Sequence, residues 1–351
     1  MFDKLLVSLR VSLMFGLLAA AFPARTEEIS FTPAFVFREF FLKNNQADRS
    51  LQSNRTKAGA TSQPESVQND SGSSCVVLRW DKASFNKPYI AIRQSGRYCL
   101  DQDYDFACSP WAHGCGGNFI DIEADNVDVD LRGHTLGTIG TRGYTGISGH
   151  GKNIRIHNGT IKGVGTGIEL AQRSTNWKMA PVYSYPVYPV LPNAQFTDTR
   201  FIIESINFVD VFSPILLSGT GNVIRNNHIG AILENRLVAD GKPKFSGDDE
   251  AKVSVLNFGP KALIENNTIT QKTNNRGVAA YTLYLRNGDG SVVRNNSITL
   301  DGSVDKTIAI GLSNSREVVV QENSFVKVET PIEVKDGSTV KESGSRINQP
   351  F

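Results

Sequence analysis

Methionine and histidine are scarce in this chain, with 3 Met and 5 His among 351 residues. None of them cluster at ligand spacing, which argues against a metal-delivery role built on soft or imidazole donors. An excess of either charge is also lacking, since 37 Lys and Arg face 35 Asp and Glu for a formal net charge of +2. Such a balance gives no electrostatic basis for binding nucleic acid or an anionic membrane surface. Past the N-terminus no apolar run reaches the roughly 20 residues that a membrane span requires. What is there, 40% apolar and 21% charged residues, is the composition of a soluble globular chain able to bury a core.

The N-terminus has its own character. Lys4 and Arg10 lead into the apolar stretch 11–21, where Ala19 and Ala21 stand at the spacing a signal peptidase reads. Residues 1–21 are therefore read as a cleaved secretory signal peptide, its apolar run being too short for a retained anchor. The expected product is secreted or periplasmic, with no membrane span after cleavage. Residues 22–74 begin with Phe31, Phe35, Phe37, Phe40 and Phe41, then turn rich in Ser, Asn, Gln, Thr and Lys, the composition of a flexible linker.

All four cysteines, Cys75, Cys99, Cys108 and Cys115, fall in one short region. An even number in an exported chain argues for disulfides, with three pairings open. A zinc site is the alternative, although no CxxC pair is present. Short apolar runs alternate with turn residues across 75–118, which reads as an N-terminal cap over the exposed end of a strand array.

From residue 119 one unit repeats. Asn-Val-Ile-Arg-Asn-Asn-His-Ile at 222–229 returns as Ala-Leu-Ile-Glu-Asn-Asn-Thr-Ile at 262–269, as Ser-Val-Val-Arg-Asn-Asn-Ser-Ile at 291–298, and more loosely at 318–325. Aligned on the last apolar residue, the units end at Leu136, Ile161, Phe208, Ile229, Ile269, Ile298 and Phe325, in steps of 25, 47, 21, 40, 29 and 27. Four of those steps match one coil of a β-solenoid, and the two long ones contain inserts at 171–200 and 235–252. Apolar and polar residues alternate within each unit, so it reads as short strands and turns. In 224–229, Ile224 and Ile229 point in, Arg225 and His228 point out, and Asn227 takes the turn. Asn267, Asn296 and Asn323 share that place, where an amide can satisfy backbone groups and bond to the Asn of the next coil. A second strand per coil is visible at 167–170, 214–217, 253–256, 282–285, 308–311 and 331–334.

The pattern in 127–136, Val-Asp-Val-Asp-Leu-Arg-Gly-His-Thr-Leu, in 153–161, Asn-Ile-Arg-Ile-His-Asn-Gly-Thr-Ile, and in the later Asn-Asn-x-Ile units resembles the right-handed parallel β-helix repeat proteins, the pectin-lyase-like superfamily. The resemblance covers about residues 85 to 340. It implies an all-β, single-chain right-handed parallel β-helix over 119–340, followed by a tail at 341–351. The superfamily holds polysaccharide lyases, hydrolases, epimerases, adhesins and accessory proteins, so the fold does not fix the function. Its carbohydrate sites lie on a long shallow face walled by inserted loops.

That implication directs attention to the inserts and to outward positions. The first insert carries Trp177, Tyr183, Tyr185 and Tyr188 among prolines, aromatics suited to stacking on sugar rings or to folding back over the coil. The second contains Asp248 and Asp249, a pair able to serve acid–base cleavage, to bind Ca2+ in a lyase, or simply to be solvated. Asp121, Glu123, Asp128 and Asp130 are a further acidic run, read as edge charges or calcium ligands. Arg132, His157, Glu204, Arg225, Glu265, Arg294 and Gln321 align as an outward polar ladder, either a solvated register device or a sugar-binding strip through residues such as Arg225. On the second strand, Tyr284 and Arg286 with Glu169 or His157 form the candidate catalytic group, since a lyase or C5-epimerase must neutralise a uronate and move its C5 proton. The expectation is an exported protein that binds or processes an acidic polysaccharide; the alternative is a non-catalytic surface or periplasmic binding or accessory module.

Overall fold

In the computed structural model, the structure describes residues 75–80, 89–107, 117–139, 144–172, 195–233, 252–273, 279–301 and 306–348, all within the compact unit Ser66–Phe351. Regular structure among them is entirely β-strand, arranged as one 17-stranded and one nine-stranded sheet with parallel pairings. The nine-stranded sheet is β2 (Ile90–Ile92), β5 (Gly117–Ile122), β8 (Tyr144–His150), β10 (Thr166–Ala171), β12 (Ser213–Ser218), β15 (Lys252–Phe258), β18 (Ala279–Arg286), β21 (Lys306–Ser313) and β24 (Thr330–Lys335). The 17-stranded sheet starts with β1 (Val76–Val77), β3 (Gly96–Cys99), β4 (Tyr104–Ala107), β6 (Val127–Asp130), β7 (Thr135–Ile139), β9 (Ile154–Lys162) and β11 (Ile202–Val211). It continues with β13 (Val223–Arg225), β14 (His228–Leu233), β16 (Leu263–Glu265), β17 (Thr268–Thr273), β19 (Val292–Arg294), β20 (Ser297–Asp301), β22 (Val318–Gln321), β23 (Ser324–Val326), β25 (Val340–Ser343) and β26 (Arg346–Asn348). From β4 onward the chain alternates between the two sheets, laying each strand beside its predecessor in the same sheet, an arrangement consistent with a β-solenoid.

The repeated Asn-Asn unit is a corner within the larger sheet. Its first residue, Asn226, Asn266 or Asn295, has φ of 57°, 55° or 54°, a left-handed conformation that asparagine tolerates better than most side chains. The second residue turns inward and is about 1–2% exposed at Asn227, Asn267, Asn296 and Asn323. Asn227 donates its backbone N–H and its Nδ2 to Asn267 Oδ1, both at 3.0 Å. Asn267 treats Asn296 likewise, and Asn296 treats Asn323 likewise. The remaining Nδ2 protons reach Ile203, Ile224, Ile264 and Val293 carbonyls. The amide ladder expected from the repeat is therefore present, coil upon coil.

Inward positions hold the core: Ile203, Ile224, Ile264, Val293 and Val320 form one aliphatic column, and Phe208, Ile229, Ile269, Ile298 and Phe325 the next. The second strands read from sequence all fall in the nine-stranded sheet. There the in–out alternation is interrupted in register, because Ser254-Val255, Thr282-Leu283 and Ala309-Ile310 are consecutive fully buried pairs. Tyr281 and Tyr284 consequently share the outer face although they are three residues apart.

Several boundaries differ from expectation. In the cysteine region β1, β3 and β4 are strands of the larger sheet, and β5 straddles the boundary placed at 118. Residues 341–348, expected as a tail, lie in β25 and β26 and the turn between them, and these strands pair with β22 and β23 and extend the larger sheet. Cys75 and Cys99 are joined, stapling the paired strands β1 and β3, whereas Cys108 and Cys115 lie outside the described residues. So do the signal segment and linker at 1–74. Among the described residues, no helix is long and apolar enough to cross a membrane.

Asn267→Ala would remove the acceptor of two donors and the donor of two further bonds, leaving Asn227 N–H buried and unpaired. We expect a loss of about 3 kcal/mol, read as a lower denaturation midpoint, against a loss under about 0.5 kcal/mol for a solvent-facing control such as Thr268→Ala.

Candidate functional site

The outward ladder on the larger sheet is internally neutralised. Register places Asp130, His157, Glu204, Arg225, Glu265, Arg294 and Gln321 in one column. Asp130 thus occupies the rung expected for Arg132, because a turn at Arg132–Gly133 adds two residues that alignment on the last apolar residue did not count. Glu204, buried, takes Arg155 on one side and Arg225 on the other, each at 2.6 Å through Nε. Arg294 bonds Glu265 at 2.7 Å and 2.8 Å. His157 Nε2 lies 3.0 Å from Asp128, which also pairs with Arg97 at 3.2 Å. Arg225 and His157 are thus members of a charge lattice that ties coil to coil.

Burial alone would push the Glu204 carboxyl up, but the hydrogen bonds from Arg225 and Arg155 outweigh it and hold the carboxyl below its ordinary range. A depressed folded pKa contributes stability above the unfolded value, lost as pH falls through the folded one.

The acids considered for calcium are similarly engaged. Ser148 donates to Asp121 at 2.8 Å and Arg93 to Glu123 at 3.0 Å, while Asp130 accepts from Asn158 at 3.1 Å. Asp121 and Glu123 belong to the nine-stranded sheet side and Asp128 and Asp130 to the other. Among the described residues no group of three or more acids, histidines or cysteines could hold a metal ion. Asp248 and Asp249 lie outside the described residues.

The outer face of the nine-stranded sheet is different. Register runs one outward column through Asp121, Ser148, Glu169, Leu216, Leu256, Tyr284, Gly311 and Glu333. Toward its C-terminal end four side chains meet. Tyr281 Oη donates to Glu333 Oε2 at 2.5 Å and accepts from Lys335 Nζ at 2.8 Å. The Tyr284 ring stands edge-on to Tyr281 at 4.9 Å between centroids. Tyr281 can reach across β21 only because Gly311 has no side chain: a Cβ there would lie 2.5 Å from Tyr284 Cδ2 and 2.6 Å from Tyr281 Cδ1. Burial, followed by the Glu333 bond, pushes the Tyr281 phenol up to about 12. Burial opposes the charge on Lys335, yet its bonds to Glu333 and Tyr281 raise its pKa. At neutral pH the group is therefore a phenol that keeps its proton, beside a fixed ammonium.

Beside this group Arg286 lies over the Phe258 ring, 5.8 Å from its centroid, and Phe258 meets Phe196 edge to face at 5.0 Å. Phe196 belongs to the returning end of the first insert. Gln172 clamps the two ends of that insert, its Oε1 accepting from Thr197 N at 2.7 Å and its Nε2 donating to Gln195 O at 3.0 Å. The aromatic insert is thereby rooted on this face; its Trp177, Tyr183, Tyr185 and Tyr188 lie outside the described residues.

The four proposed catalytic residues are not brought together. Tyr284 and Arg286 share one strand end, but Glu169 is three strands away along the column, about 14 Å, and His157 is on the other sheet. Burial raises the Glu169 carboxyl, so it holds its proton more tightly than an exposed glutamate. Sequence reasoning missed Lys335, although its two-residue spacing from Glu333 already placed both on one face. His150, from a Gly-His-Gly sequence, is the exposed last residue of β8.

Stacked parallel β-strands with a polar–aromatic outer face define the class of this protein. No protein-family model matches the chain, and no curated protein or solved structure does.

Two outcomes follow from this geometry. Glu204→Gln should cost about 1 kcal/mol at neutral pH, a gap that closes in denaturation curves as pH falls below the ordinary glutamate value of about 4.3. Gly311→Ala should displace the Tyr281 ring, and ultraviolet titration should show a phenol falling from about 12 toward about 10; the same transition should vanish in Tyr281→Phe.

Proposed function

We propose that this chain is an exported, right-handed parallel β-helix protein of the pectin-lyase-like kind that binds an acidic polysaccharide along the outer face of its nine-stranded sheet. Alternation of the chain between two parallel sheets supports the helical reading, and the strong preference of parallel crossovers for one hand supports right-handedness. The observation that carries the functional reading is the adjacency of the insert root to the cationic and aromatic end of that face: Phe196 on Phe258, Phe258 under Arg286, and Tyr284 and Lys335 on β18 and β24, the two strands that flank β21. Guanidinium and ammonium groups meet carboxylates, tyrosine faces meet sugar C–H groups, and rungs about 4.8 Å apart present them repeatedly to an extended polymer.

Binding is favoured over turnover by a specific arrangement. Tyr281 is buried and committed to Glu333 and Lys335, and the candidate acids and bases are dispersed over two sheets. A lyase or C5-epimerase would work through Tyr284 with Arg286 and Lys335, without Glu169 or His157. The mature chain then acts as a surface or periplasmic binding or accessory module, and catalysis is the rival outcome of the same experiment.

The mature protein is titrated with alginate, pectate and glycosaminoglycans, with and without Ca2+, while absorbance of unsaturated product and uronate composition are followed. We expect binding that weakens with salt and falls about tenfold, ~1.4 kcal/mol, in Tyr284→Ala and in Lys335→Gln. Unsaturated product or altered uronate composition would replace the binding reading by the enzymatic one. No binding and no product would sink both.

A further inference from the structure

Away from its asparagine-lined corner, the interior of the stack carries an isolated polar group. Ser254 on β15, Gln271 on β17 and Thr282 on β18 are each 0% exposed. Ser254 Oγ donates to Gln271 Oε1 at 2.6 Å, and Gln271 Nε2 and Thr282 Oγ1 have no hydrogen-bond partner. Ser254 and Thr282 are side by side, bracketed by the pairs Val253 with Tyr281 and Val255 with Leu283. They belong to the inward corner column that elsewhere carries Gly146, Gly167, Pro214 and Ala309. Gln271 reaches Ser254 from the opposite sheet, one strand away from the unsatisfied hydroxyl of Thr282.

The neighbouring rungs carry small side chains. Gln271 stacks on Ala231, the smallest side chain among its rung neighbours, and Thr282 stacks on Ala309. Larger aliphatics resume at Leu300 and Ile310. Two small residues beside two buried and unsatisfied polar atoms form a polar niche in a core that otherwise leaves no reason for one. Unpaired buried donors and acceptors are rare because each carries the full cost of desolvation.

We infer that a single water molecule is bound inside this coil, accepting a hydrogen bond from Gln271 Nε2 and completing the valence of Thr282 Oγ1. Water both donates and accepts, so it also fits the amide turned over, with Oε1 toward the niche and Nε2 toward Ser254. The bound water bridges the two sheets at the coil whose Thr282 immediately follows Tyr281, and so fixes the backbone from which Tyr281 projects. The inference does not depend on polysaccharide binding.

A crystal structure of the unaltered protein showing ordered solvent should place a peak about 2.7–3.2 Å from both Gln271 and Thr282. Thr282→Val supplies an independent thermal test with a discriminating sign. If the hydroxyl is hydrated through this water, the valine variant strands the water and the amide, and Tm falls by about 1–3 °C; the triple change Ser254→Ala, Gln271→Met, Thr282→Val should recover most of that loss. If the hydroxyl is a true orphan, valine leaves Tm unchanged or raises it. An empty niche in the crystal, or a Thr282→Val protein at least as stable as its parent, overturns the inference.

Discussion

The stack depends on the distance between hydrogen-bonded parallel strands, about 4.8 Å. Because each coil rests on the last at that separation, any side chain that is repeated at one position lies within bonding reach of its own copy. Asn227, Asn267, Asn296 and Asn323 use this directly, each amide closing on the next. The charge lattice uses the same distance with alternating sign, Arg155 to Glu204 to Arg225, then Glu265 to Arg294. So does the aliphatic core. Amide ladder, ion ladder and apolar columns are three chemistries held by one repeat distance, which is why a slip of one residue in any coil would break all three together.

Those dependences explain why the larger sheet was legible. The Asn-Asn doublet reports two local needs at once, a left-handed φ at the first residue and a ladder amide at the second, so it survives as a visible repeat. At 322–323 the first need is met by Glu322 with φ of 55°, and the repeat is correspondingly loose there. Arg132 leaves the ladder because corner length varies. Counting back from the last apolar residue assumes a corner of fixed length, and the first coils have four-residue corners where later ones have two.

The candidate site was less legible because it belongs to relations between strands. Alternation along β18 puts Tyr284 and Arg286 on one side, and register adds Glu333 to the Tyr284 column. Alternation could not say that Glu169 stands three strands from Tyr284, since that order emerges only once the coils are counted through both inserts. Gly311 is harder still. Its contribution is a missing side chain on the strand between Tyr281 and Glu333, and no property of the residue by itself signals a neighbour leaning across it.

Connections between the sheets are unequal. Passages from the nine-stranded to the larger sheet take three to five residues in all but one coil, whereas the opposite passages range from the single residue Phe212 to the eighteen residues of 234–251. Each long edge of the stack thus admits one long passage, 172–201 at one and 234–251 at the other, between strands that keep their pairing. The strands that flank these passages stay in register with their neighbours, so the fold offers display margins on which new sequence can be carried while the columns beneath keep their alignment.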